Sequence, residues 1–147
     1  MYTPGKIIYF DPFFFKEGGS KPKYFLVLKV IDDNVILASL PSSIEHLPAG
    51  MEIKHGCLEI PSACISCYIF EAKKPITTNG WFFPRNTFLY ACWLDDYHIP
   101  KLMEMYSIEK VEYEIIGEIT KEELQNVIKC FAVSNTIKRR YKKILAA

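Results

Sequence analysis

The stretch Gly5–Leu28, GKIIYFDPFFFKEGGSKPKYFLVL, restricts the fold more than any other part of the chain. A β-branched and aromatic run, Lys6–Phe10, stops at Asp11-Pro12, and a polar loop follows over Lys16–Lys21. Pro22 then precedes a second such run, Tyr24–Ile31. Runs of this composition read as strands, and the corner between them bends the chain back on itself. Asp32-Asp33-Asn34 offers a compact turn, because Asp and Asn tolerate positive φ, so Lys23–Leu40 reads as a tight β-hairpin.

The remaining elements follow by pattern. Cys57–Ile60 and Ser66–Glu71 are expected as short strands around a Pro61-Ser62 turn, with Ile44–Gly50 a loop carrying His46 and Pro48. Lys73–Asn79 reads as a polar connection ending in the turn signal Asn79-Gly80. Trp81–Trp93 reads as a further strand-like stretch with Pro84 at an edge or bulge. Tyr97–Met105 is expected to be a short helix, since Leu102 and Met105 fall on one face, and Val111–Gly117 a strand or extended run. Thr120 with Glu123 forms a capping box, and Leu124, Val127, Ile128 and Phe131 repeat at helical spacing. That pattern runs on through Ile137, Tyr141 and Ile144, with Ser134-Asn135 as the place for a break or kink. Five to seven short, mostly antiparallel strands, a short helix and a long C-terminal helix predict an α+β domain built on a small barrel. One domain spanning 1–147 is expected, its barrel over about 1–117 and its helix over about 120–145.

Composition narrows the function classes. With 147 residues, half of them apolar, the chain can bury a substantial core. A net charge of +1 supplies no global field toward nucleic acid or membrane, so any such attraction must be local. No apolar run approaches the ~20 residues that span a bilayer, and no signal-peptide pattern opens the chain. The expectation is a cytoplasmic protein without a membrane partner. Five cysteines in a reducing compartment are expected as free, buried thiols.

The order of strand, Asp-Pro corner, polar loop and Lys21-Pro22 before a second strand resembles the N-terminal signature of the PemK/MazF-like toxins of bacterial toxin–antitoxin systems. In that family the loop leads to R-P-x-[LV]-V-[LI]. The resemblance implies an SH3-like barrel and a metal-independent endoribonuclease. In that reaction the RNA 2′-OH attacks the neighbouring phosphate, which needs an orienting group, a proton donor and a cation. Carried onto this sequence, Lys21 supplies the phosphate charge and Ser43 the hydroxyl, both as catalytic residues, with Lys23, Ser42 and Arg85 as RNA-binding residues. The implied partners are RNA, a small antitoxin protein and a second copy of the chain in a homodimer. No cofactor and no metal are implied. The family's third block, with an Asp-Gln pair followed by a basic residue, aligns with Cys92, Trp93 and Asp95. An acid there repels a phosphate, and this departure frames the alternative: an inactive barrel that binds protein or nucleic acid.

Other chemistry-bearing groups have plainer readings. His55, Cys57, Cys64 and Cys67 lie within 13 residues, but their spacing is not a common zinc pattern, and buried cysteines packing as small hydrophobes are expected. His46, His55 and His98 read as surface histidines. Lys138–Lys143, with five cations in six residues, reads as a solvated helix end that favours the macrodipole. Phe13-Phe14-Phe15 cannot all point inward from an extended chain, so at least one ring must cover another surface. Packing under the terminal helix is expected, an interface comes next, and base stacking is a further option.

Overall fold

A computed structural model describes residues 2–40, 50 and 52–146. Eight strands form two antiparallel sheets, accompanied by three helices. The larger sheet has the order β7-β3-β2-β1-β8, from β1 (Lys6–Phe14), β2 (Ser20–Ile31), β3 (Asn34–Leu40), β7 (Leu94–His98) and β8 (Tyr113–Glu118). The smaller runs β4-β5-β6, from β4 (Gly56–Ile60), β5 (Ile65–Phe70) and β6 (Thr87–Tyr90). Neither sheet closes on itself among the described residues.

Alternation on the central strands sorts the core into two layers. Ile7, Leu26, Leu28, Ile36 and Ala38 face the smaller sheet's Tyr68, Phe70 and Leu89. The same cluster takes in Val127 and Phe131 of α2 (Lys121–Ala132) and Tyr141 and Leu145 of α3 (Arg139–Ala146). Ile8, Phe10, Phe25, Val27, Val35 and Leu37 face the other way and meet Leu102 of α1 (Ile99–Met105), with Tyr106 just beyond it. The large sheet is therefore buried on both faces, which explains the near-continuous apolar run of β2.

The N-terminal strands pair, with Ile7 opposite Leu26 and Phe10 opposite Lys23. However, β1 runs on through the expected Asp11-Pro12 corner and β2 takes in Lys21-Pro22, so the bend falls between Phe15 and Gly19 rather than at Lys21-Pro22. The hairpin turn holds Asp32 at φ +52°, and the carbonyl of Asp33 receives the Ile99 N–H at 2.7 Å, which fixes the start of α1. Thr120 caps α2 by accepting the Glu123 N–H at 3.2 Å.

Several expectations need correction. Helix is absent at Tyr97 and His98, which end β7; the helix begins at Ile99. Pro84 lies in a loop, because only Thr87–Tyr90 of the Trp81–Trp93 stretch is strand and Ala91–Trp93 is a 3-10 turn. The single long C-terminal helix is two helices, parted at the expected Ser134-Asn135 break. There the Ser134 hydroxyl accepts the Thr136 N–H (3.1 Å), a local bond that competes with helix continuation, and the Glu59 carboxylate accepts the Asn135 N–H (3.2 Å). The Phe13–Phe15 run packs under α1, not under the terminal helices: Phe13 is buried against Phe25 and Tyr106, while Phe14 is 53% exposed.

Cysteine usage also differs. Cys57 and Cys130 form a disulfide across 73 residues that ties β4 to α2. Cys67 is buried, and Cys64 and Cys92 are exposed. Among the described residues no helix is long and apolar enough to cross a membrane.

Candidate functional site

Strand alternation sets Lys21 and Lys23 on the face of β2 that also carries Phe25. Lys21 is exposed and Lys23 half-buried. Burial holds the Lys23 amine below its usual range, and the charge of Lys21 beside it adds to the effect. Two adjacent cations on one strand face form a local positive spot in a nearly neutral molecule. Ser42, Ser43 and His46 lie outside the described residues. Arg85 is exposed in the loop before β6. Phe83 of that loop packs against Tyr24, whose side chain leaves the opposite face of β2 from the two lysines. The fold thus brings Lys21 and Lys23 together, while Arg85 sits in a loop whose Phe83 packs on the opposite face of β2.

A second cluster was not foreseen. The hairpin between β1 and β2 closes through Phe15 N–H to the Gly19 carbonyl and Gly18 N–H to the Phe15 carbonyl, both 3.1 Å. Gly18 and Gly19 sit at φ +100° and +79°, which favours glycine there. This tip carries Lys16 to β7. Its ammonium bonds the Asp95 carboxylate at 3.0 Å and the Asp96 carbonyl at 2.7 Å, and lies 4.4 Å from the Tyr97 ring centre. From α3, Tyr141 donates its hydroxyl to Asp96 at 2.6 Å and Arg140 reaches the same oxygen at 3.0 Å. The Asp96 carboxyl is held below its ordinary range, first by the Tyr141 hydroxyl and then by Arg140 and Lys16. Burial, followed by the bond to Asp96, raises the Tyr141 phenol. Asp95, the acid aligned with the family's basic position, is therefore paired with Lys16. The only sequence signals were the Asp95-Asp96 pair and Arg140 within the C-terminal basic run.

A third cluster corrects the reading of His55 as a surface histidine, for its side chain is only 12% exposed. The Glu71 N–H donates to His55 Nδ1 at 3.1 Å, which leaves the proton on Nε2 facing the Glu123 carboxylate. Tyr68 donates to the same Glu123 oxygen at 2.8 Å. Burial, with that bond second, raises the Tyr68 phenol. Both imidazole nitrogens are thereby occupied, and the cluster joins β5 to the first turn of α2. Beside it, a cleft of about 430 Å³ runs past the Cys57–Cys130 bridge, Asn126 and Lys129. The zinc arrangement does not assemble: Cys57 is oxidised, Cys64 exposed and Cys67 buried, its thiol pushed up to about 11 by burial. Among the described residues no group of three or more metal-ligating side chains comes together.

No protein-family model, curated protein or solved structure matches this chain.

Proposed function

We propose that the protein is a PemK/MazF-like RNA-binding protein whose two sheets act as an SH3-like barrel and which cleaves RNA without a metal. The observation that carries this reading is the β1–β2 ladder, which sets Lys21 and Lys23 side by side where the signature expects its phosphate cation. The chain passes from β6 through Ala91–Trp93 directly into β7, so one corner joins the two sheets. Such a strand switch is how an open barrel turns its edge. In the cleavage step the 2′-OH gives its proton to solvent as its oxygen bonds to phosphorus, the P–O5′ bond breaks, and the 5′-oxygen leaves with a proton. Lys21 offsets the phosphate charge and Ser43 serves as hydroxyl donor. A homodimer and neutralisation by a small antitoxin belong to the same reading.

A second reading, an inactive barrel that still binds nucleic acid or protein, is favoured by one contact. Asp95 stands where the family carries a cation, and Lys16 neutralises it at 3.0 Å.

Long mixed-sequence RNA incubated with the purified protein separates the two. Cleavage that persists in EDTA, yields cyclic phosphate ends and falls about a hundredfold in Lys21→Ala supports the enzyme. Intact RNA at micromolar protein removes the enzyme. Binding that persists and weakens with salt then supports the module.

A further inference from the structure

Between the β1–β2 hairpin tip, the end of β7 and α1 lies a cavity of about 470 Å³, within the ~300–1,000 Å³ range of small-molecule sites. None of its residues belongs to the proposed cleavage set. Its wall is aromatic: Phe14, half exposed, stacks at 6.4 Å on the buried Tyr106, and the Tyr97 ring lies edge-on to Phe13. Its rim is charged, and the charges are unequal in their freedom. Lys16 is taken up by Asp95 and the Asp96 carbonyl, and the Asp96 carboxylate by Tyr141 and Arg140. Lys101, also on the rim, is exposed and makes no ion pair or side-chain hydrogen bond among the described residues. Asn34 likewise brings an uncommitted amide to the opening. An aliphatic ligand would leave that cation unused, and an inorganic anion would leave the exposed ring unused. A flat ring carrying a negative group satisfies both.

We propose that this cavity binds a nucleotide, with the base stacked on Phe14 and edged by the Asn34 amide, and the phosphate met by Lys101. Stacking on an exposed ring tolerates any base, since every base has a π-face. Two sources share this chemistry, a free mononucleotide and the unpaired base of an RNA strand.

Calorimetric titration of the full chain with the four 5′-mononucleotides, their nucleosides and a short unstructured RNA tests the assignment. At least one mononucleotide should saturate the protein and bind better than its nucleoside. Phe14→Ala should weaken it about tenfold, and Lys101→Ala about fivefold. Both positions are exposed, so circular dichroism should show both variants folded. Tighter binding of the RNA identifies a strand as the source, and binding of mononucleotides alone identifies a free nucleotide. Lys21→Ala, which tests the cleavage reading, should leave mononucleotide binding intact, so the two readings can fail separately. No saturation by any probe up to about 10 mM, or binding indifferent to both Phe14→Ala and Lys101→Ala, overturns the assignment.

Discussion

Asp96 is where three distant segments of the chain meet: Lys16 bonds its carbonyl, while Arg140 and Tyr141 bond its carboxylate. Its carboxyl titrates lower in the folded protein than in the unfolded chain. The sign follows from linkage. A lowered carboxyl contributes stability above the ordinary range near pH 4, and that contribution is lost as pH falls through the folded value. Tyr141 is buried but its partner Asp96 is one-third exposed, so Tyr141→Phe should cost about 1 kcal/mol at neutral pH. The difference from wild type should vanish on acidification, as read by thermal unfolding across pH 2 to 7. An equal loss at every pH would assign Tyr141 a packing role alone. Thiol chemistry offers a second test among single residues. Under native, non-reducing conditions Cys64 and Cys92 should react with a thiol reagent, and Cys67 only after unfolding.

Among the elements, α2 is the most heavily anchored. Val127 and Phe131 enter the main core, Glu123 receives Tyr68 and faces His55, and Cys130 is bridged to Cys57 on β4. A bridge closing a loop of 73 residues restricts the unfolded chain by about 4 kcal/mol in the loop-entropy account. Reduction should therefore lower the unfolding free energy from denaturant titration by about 4 kcal/mol, with a lower midpoint, at unchanged pH, and Cys130→Ser should reproduce the shift without reductant. An unchanged midpoint in both cases would remove the bridge from the folded protein. The α2 pattern was legible because its capping box and its 3.6-residue repeat are local. β7 was not legible: Leu94–His98 contains two aspartates that disfavour strand. It is a strand because β3 pairs with it, with Leu37 opposite Asp95 and Val35 opposite Tyr97.

For the molecule as a whole, the large sheet is covered on both faces, by α1 on one side and by the smaller sheet with α2 and α3 on the other. Ile8 and Leu26 are both fully buried, on opposite faces. Ile8→Ala and Leu26→Ala should each cost about 2–5 kcal/mol, and each should move one common unfolding transition. Two separate transitions would mean that the faces fold independently. Salt should affect the two proposed sites and the fold differently. Stability rests on apolar burial and should change little with added salt, while RNA or nucleotide binding through Lys21 or Lys101 should weaken.

Local physics accounts for what could be read from residues alone. The strands of the first hairpin, β4, β5, β8, the cap of α2 and the break after it each declare themselves through side-chain period, turn chemistry or competing hydrogen bonds within a few residues. Lys21 and Lys23 fall on one face for the same reason, the two-residue period of a strand. Tertiary folding alone decided the rest: the Cys57–Cys130 bridge, the His55–Glu123–Tyr68 cluster, the Lys16–Asp95 pair and the ring-lined cavity beside α1. Each joins residues tens of positions apart, and their meeting depends on which strands pair and how the sheets stack, information no short window of sequence contains.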